Sequence, residues 1–305
     1  MALKDLIPFG MSLPHRSPDS VGVDVVHAVA TGADTIGFRD LWVTENTLDH
    51  VMSFDPIVVL TYAAAVTSRI GLGASVLVLP VHDPRMVAHQ WASLDALSNG
   101  RAIMGVGIGR PFHFTEFEVP QEGRVARFRE QIELIRALWS HGKVTHHGRY
   151  YNLDDAKLGV RPVQQPLPVW MGVGHPDAIR RAAGLADGWM GAGGSSTEDF
   201  RKAVPLLKES LEKGGRDPAK FPISKRIFMA IDDNPAVARA ELHRWYTEVY
   251  HNPAGTDASG IHGTPEHVRE RLEEMVHMGA NHLLLNPVSR HVEQLAACAE
   301  VVGLT

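Results

Sequence analysis

The sequence predicts an α/β fold, a (β/α)8 TIM barrel, on three observations. Short, almost wholly apolar runs recur along the chain, as parallel strands covered on both faces require. Nearly every run is followed by a segment of helical period. The runs empty into Gly, Ser or Pro, at the edge where such units build their sites. The clearest pair is Gly73-Ala-Ser-Val-Leu77 and Arg101-Ala-Ile-Met-Gly-Val-Gly-Ile-Gly-Arg110, joined by a helix from Pro84 to Ser98.

The eight strand candidates are Ile7–Leu13, Asp40–Thr44, Ile70–Leu77, Ala102–Gly107, Pro168–Val173, Gly188–Ala192, Ser224–Ile231 and Asn281–Leu285. An open doubly wound sheet is the competing arrangement. Eight strands without a half-and-half division favour the barrel. Among the helices, Val125, Phe128, Ile132, Ile135 and Trp139 form one apolar stripe over Arg124–Trp139. Asp55-Pro56, Asn234-Pro235 and Thr264-Pro265 each read as an N-cap followed by proline at N1.

Two insertions are expected. Pro111–Pro120, after strand four, reads as aromatic and irregular. Lys143–Pro168, before strand five, is too long for an ordinary loop and contains a hairpin, Val144–Asn152, turning at Gly148. No linker interrupts the alternation, so residues 1–305 are expected to form one domain.

Of the 305 residues, 44% are hydrophobic and 21% charged, enough to bury a large core. The net charge is −5 with no basic stripe, which argues against a nucleic-acid partner. No run approaches a membrane span, and the first ten residues lack a signal-peptide core. The single cysteine, Cys298, reads as helix filler and fits a reducing compartment. The expectation is a soluble cytoplasmic protein.

Several chemistries fail on detail. Gly105-Val-Gly-Ile-Gly109 does not make a dinucleotide fingerprint: Arg110 stands where the third glycine belongs, and Pro111-Phe-His-Phe is read as no helix start. It is read instead as a tight strand exit where backbone approaches a ligand. Met171-Gly-Val-Gly-His-Pro-Asp-Ala-Ile179 opens into a helix, either a phosphate site or a plain capping turn. Gly191-Ala-Gly-Gly-Ser-Ser-Thr197 is a third such exit. Glu45 and Asn46, after strand two, either face a ligand or cap a loop, and His15 after strand one has the same standing. Seventeen histidines invite a metal, but no H-E-x-x-H occurs and His146-His147 point to opposite faces of a strand. Metal ligands are therefore assigned to none. Paired glycosidase carboxylates and a Gly-x-Ser-x-Gly nucleophile are also missing. What is left is a barrel that takes its reactivity from a bound organic cofactor.

The chain resembles the bacterial luciferase-like superfamily of flavin- and deazaflavin (F420)-dependent oxidoreductases. The matching segments include Gly37-Phe-Arg-Asp-Leu-Trp-Val-Thr-Glu-Asn46, Ala63-Ala-Ala-Val-Thr-Ser-Arg-Ile-Gly-Leu-Gly-Ala-Ser-Val76, Leu94-Asp-Ala-Leu-Ser-Asn-Gly-Arg101, Pro168-Val-Trp-Met-Gly172 and Gly263-Thr-Pro-Glu266. They run in order over nearly the whole chain, and the F420-using branch is the nearer one. The resemblance implies coenzyme F420, with FMN as the alternative, lying across the C-terminal ends of the strands. It implies a cis peptide at Ser75-Val76 behind the ring, Glu45 and Asn46 flanking the ring, and Gly107, Ile108 and Gly109 along it. Gly174, His175 and Asp177 are implied at the phosphate region. Asn46 and Arg110 stand where sugar-phosphate dehydrogenases of this branch carry His and Glu. Neither is a general acid or base near neutral pH, so that mechanism is not transferred. Arg110 is expected to bind an anionic group, Asn46 and His15 are the candidate catalytic residues, and His15 and His113 are the nearest remaining candidates for proton transfer. The implied activity is hydride transfer between F420 and an unidentified small-molecule substrate, in a homodimer. The alternatives are an FMN-dependent monooxygenase using O₂ and a barrel that binds a ligand without catalysis.

Overall fold

In a computed structural model that describes residues 1–140 and 142–304, eight parallel strands close into a barrel. They are β1 (Phe9–Ser12), β2 (Asp40–Val43), β3 (Gly71–Ala74), β4 (Ala102–Gly107), β5 (Val169–Met171), β6 (Gly188–Gly191), β7 (Ile223–Ile231) and β8 (His282–Pro287). Each pairs with the next, and β8 pairs back onto β1 through Phe9↔Leu283 and Met11↔Leu285. Closure leaves no edge among the eight, which is why β1, β2, β6, β7 and β8 are buried at every position.

The third strand differs from expectation in an instructive way. Ile70–Leu77 is not continuous: β3 ends at Ala74, and pairing resumes at Leu77–Val78 against Val106 and Gly107 of β4. Between them the Ser75-Val76 peptide is cis. A short strand absent from the sequence reading, Ile261–Gly263, pairs with Met229–Ile231 of β7.

The capping signals act as read. Asp55 accepts a hydrogen bond from the Val58 N–H at 3.0 Å and Asn234 from the Ala236 N–H at 3.0 Å. Thr264 does the same for the His267 N–H at 3.3 Å. One reading is corrected. Pro111 does start a helix, Pro111–Glu116, with proline at N1 and His113 Nδ1 accepting the Arg110 N–H at 2.9 Å. The segment before β5 contains a hairpin, but a longer one than Val144–Asn152: Val144–His147 pairs with Asn152–Ala156. Glu130 anchors its turn by accepting the backbone N–H groups of Arg149, Tyr150 and Tyr151.

Side chains fill the barrel. Trp42 and Trp170 pack with ring centroids 5.1 Å apart, beside Met190 and Leu284. Asp40, His282 and Ser224 form a buried chain among them: His282 Nε2 to Asp40 Oδ1 at 3.0 Å and Nδ1 to Ser224 Oγ at 2.7 Å. It has the order of a hydrolase triad, but all three residues are buried, so it is a polar core network without substrate access.

Candidate active site

A cleft of about 660 Å³ opens at the C-terminal ends of the strands. Its floor is Ser75 and Val76, and the glycines that puzzle a sequence reader explain the floor. A Cβ on Gly107 would lie 2.6 Å from Val76 Cγ2, and one on Gly172 would lie 2.5 Å from Val76 Cγ1. The Val76 side chain therefore sits in a socket that only two glycines, on β4 and just past β5, leave open. Gly109, with φ +77°, then turns the chain out of β4.

All the residues singled out from sequence line this cleft except His15 and Asp177: Asn46, Glu45, Ser75, Val76, Gly107, Ile108, Gly109, Arg110, Gly174 and His175 are there. Glu45, however, is fully engaged within the protein. Its Oε2 accepts the Val78 N–H at 2.6 Å, and its Oε1 lies 2.6 Å from His82 Nε2. Its own N–H reaches the Val76 carbonyl at 3.3 Å. Glu45 thus clamps the segment on both sides of the floor.

His15 is corrected from a cleft residue to a buried support. It is 4% exposed and lines only a void of about 10 Å³ beneath the cleft. Its Nδ1 lies 2.7 Å from the Leu13 carbonyl, which can only accept, so Nδ1 carries the proton. Nε2 must then accept, and it receives the Thr44 N–H at 2.7 Å and the Thr44 hydroxyl at 2.7 Å. With that hydrogen committed, Thr44 Oγ1 accepts from Asn46 Nδ2 at 2.8 Å. Donation runs from Asn46 through Thr44 and His15 to the Leu13 carbonyl and leaves Asn46 Oδ1 as the acceptor facing outward from this chain.

Burial pushes His15 down to about 3, and pushes His291, which lines the same void, down to about 4. Both rings are neutral in the fold at ordinary pH. The unfolded chain takes up their protons first, near pH 6.5, so stability falls as pH drops below about 6.5 and is unaffected above it. The expected loss is about 2 kcal/mol per ring between pH 6.5 and 5. Urea midpoints at pH 7 and pH 5 check this, because His291→Gln should flatten the dependence; an unchanged slope contradicts it.

Arg110, His113, Gly174 and His175 also line the cleft. Nothing lies within 4 Å of a Cβ placed on Gly174, so the backbone is open to an approaching group. His175 caps the helix Pro176–Leu185. Asp177 is corrected: it is exposed, faces Arg180 at 2.7 Å and does not line the cleft. Burial lowers the His113 pKa, and its Nδ1 is an acceptor, so its ring proton lies on Nε2.

Sequence reasoning missed Arg226, Tyr250, His251 and His50, which also line the cleft. Only Arg226 carried a legible signal, as one of two adjacent charges, with Lys225, near the start of a strand whose remainder is apolar. The others come from loops after β2 and β7 whose course the sequence does not indicate. Among the described residues no group of three or more His, Cys, Asp and Glu side chains is placed to hold a metal ion, and no helix is long and apolar enough to cross a membrane.

A parallel barrel with a glycine-lined cleft at its strand exits defines a ligand-binding (β/α)8 architecture. The chain belongs to the luciferase-like monooxygenase family, whose model matches residues 7–260. It is 34% identical over 225 residues to an F420-dependent glucose-6-phosphate dehydrogenase of Kineococcus radiotolerans, covering 71% of this chain and 66% of that protein. It is 28% identical over 241 residues to the 5,10-methylenetetrahydromethanopterin reductase of Methanopyrus kandleri, covering 74% and 66%. These matches span just under two thirds of those relatives' length. Among solved structures, an F420-dependent secondary alcohol dehydrogenase in complex with an F420-acetone adduct superposes with a TM-score of 0.85 at 20% identity, covering 98% of both chains. A monooxygenase from Streptomyces bottropensis gives 0.83 at 22%, covering 96% and 98%. At such identities the likeness establishes the shared barrel.

Proposed function

We propose that this protein is an F420-dependent oxidoreductase that moves a hydride between the deazaflavin and a small organic substrate. The observation that carries the reading is the cleft itself. Its lining combines apolar side chains, Val76, Val78, Ile108 and Met190, with polar ones, Arg110, His113 and His175, and the open backbone of Gly174. That combination suits a flat ring system joined to a charged tail, and about 660 Å³ lies within the range of cofactor sites. The F420-dependent relatives support this cofactor over FMN.

When bound, the deazaflavin supplies a ring carbon that accepts or gives up a hydride. The protein's residues do the rest. Ser75, Val76, Gly107, Ile108 and Gly109 hold the ring, and Glu45 keeps that floor in place. Arg110, Gly174 and His175 receive the tail. Asn46 presents Oδ1 to a donor on the ring or substrate, and His15 is a positioning residue that fixes Asn46 through Thr44. Because an amide at Asn46 and a guanidinium at Arg110 replace the His and Glu of the sugar-phosphate enzymes, that mechanism is not assigned.

The homodimer and cytoplasmic location belong to this proposal. The dimer is supported by the helix Pro56–Val66, which is apolar on nearly all sides yet leaves Val58 68% exposed.

Fluorescence titration of purified protein separates the cofactors. F420 is expected to bind at about micromolar affinity or better, and FMN at least about tenfold more weakly. Tighter FMN binding, together with oxygen uptake driven by FMNH₂, would favour the monooxygenase reading. Binding of neither contradicts both.

A further inference from the structure

Arg226 lies on β7, only 6% exposed, and lines both the cleft and the small void beneath it. Its Nη1 donates to the Ser75 carbonyl at 3.1 Å and its Nη2 to the Tyr250 hydroxyl at 3.2 Å. Phe228 lies under the guanidinium, 4.4 Å from ring centroid to Cζ. These are neutral groups. Among the described residues no carboxylate lies within 4.0 Å of Arg226, and its Nε has no partner. The contrast with Arg16 beside it is direct: Arg16 pairs with Asp49 at 2.6 Å. The charged side chains that act on Arg226 include two further cations, Arg16 and Lys225, both of which repel it. Its burial lowers the pKa, yet a guanidinium stays charged.

A buried cation without an anion is costly to keep, and a fold retains one where a ligand completes the pair. Each terminal nitrogen has a second hydrogen after its bond to Ser75 or Tyr250, which leaves a fork suited to two oxygens. We propose that Arg226 is the anion receptor of the substrate end of this cleft, and that the substrate carries a carboxylate or phosphate that pairs with it. The inference rests on the oxidoreductase reading and sharpens it: the substrate is an organic anion, held next to the ring floor because Arg226 also holds the Ser75 carbonyl.

Wild type, Arg226→Met and Arg226→Lys are first titrated with F420, which tests the cofactor reading on its own. The F420-saturated proteins are then titrated with sodium phosphate and with sodium acetate, against sodium chloride at matched ionic strength, following the thermal midpoint. Wild type should show a saturable rise with phosphate or acetate by about 50 mM that chloride does not give. Arg226→Met should lose that response by at least about tenfold in apparent affinity, a larger loss than its loss of F420 affinity, since the missing bond to the Ser75 carbonyl also loosens the ring floor. Arg226→Lys should recover part of the response. The proposal is overturned if wild type shows no saturable response to either anion, if Arg226→Met responds as wild type does, or if Arg226→Met loses F420 instead. Should wild type not bind F420, the same anion comparison on the free proteins still decides the role of Arg226.

Discussion

Gly105→Ala should prevent stable folding, with a loss of about 4 kcal/mol or more. A Cβ on Gly105 would land on the Ala74 carbonyl oxygen, which belongs to the backbone of β3 and cannot swing aside as a side chain would. That oxygen is one residue before Ser75, so the collision falls at the root of the cleft floor. The contrasting substitution is Gly184→Ala, in the helix Pro176–Leu185, where nothing lies within 4 Å of the added carbon. It should be neutral or stabilise by about 0.5 kcal/mol. Thermal and urea unfolding of the two variants side by side provide the check. A Gly105→Ala protein melting within a few degrees of wild type contradicts the close approach of β3 and β4.

Glu45→Ala should cost about 2–4 kcal/mol and weaken cofactor binding beyond what lost stability explains. The carboxylate is buried, and its removal strands the Val78 N–H and the His82 ring together. Both lie on the segment that continues the cleft floor. Glu45→Gln keeps an acceptor for Val78 and should be milder on both counts. Urea midpoints report the stability, and F420 titration of the folded fraction reports the site. Equal F420 affinity in wild type and Glu45→Ala would show that the floor holds its shape without this clamp.

The sequence makes the barrel readable because parallel strands buried on both faces leave unmistakable apolar runs, and because Asp55, Asn234 and Thr264 mark helix starts by a local rule. Where chemistry collects is equally readable, since it follows from the strand exits. What each residue does there is a different matter. Gly105 and Gly107 look like a nucleotide loop until Ala74 and Val76, some thirty positions earlier, are seen against them. Glu45 reads as a ligand residue, yet both its oxygens are taken by neighbours brought close only by closure of the barrel. His15 reads as a proton carrier, but burial and its bonds to Leu13 and Thr44 fix it neutral. Pro111 is hidden as a helix start because Arg110 is no capping residue; the cap comes from His113 three positions on. Arg226 stands in the sequence as a charge within a strand, but its position does not reveal whether a carboxylate will meet it.

The central claim is that the Ser75–Val76 floor and the glycine-rich exits of β4 and β5 hold the deazaflavin. Backbone hydrogen–deuterium exchange, measured with and without saturating F420, tests it at those residues. Exchange should slow at residues 75–78, 107–110 and 173–175, around the lining of the cleft. Unchanged exchange in all three segments, with protection confined elsewhere in the chain, would contradict the account.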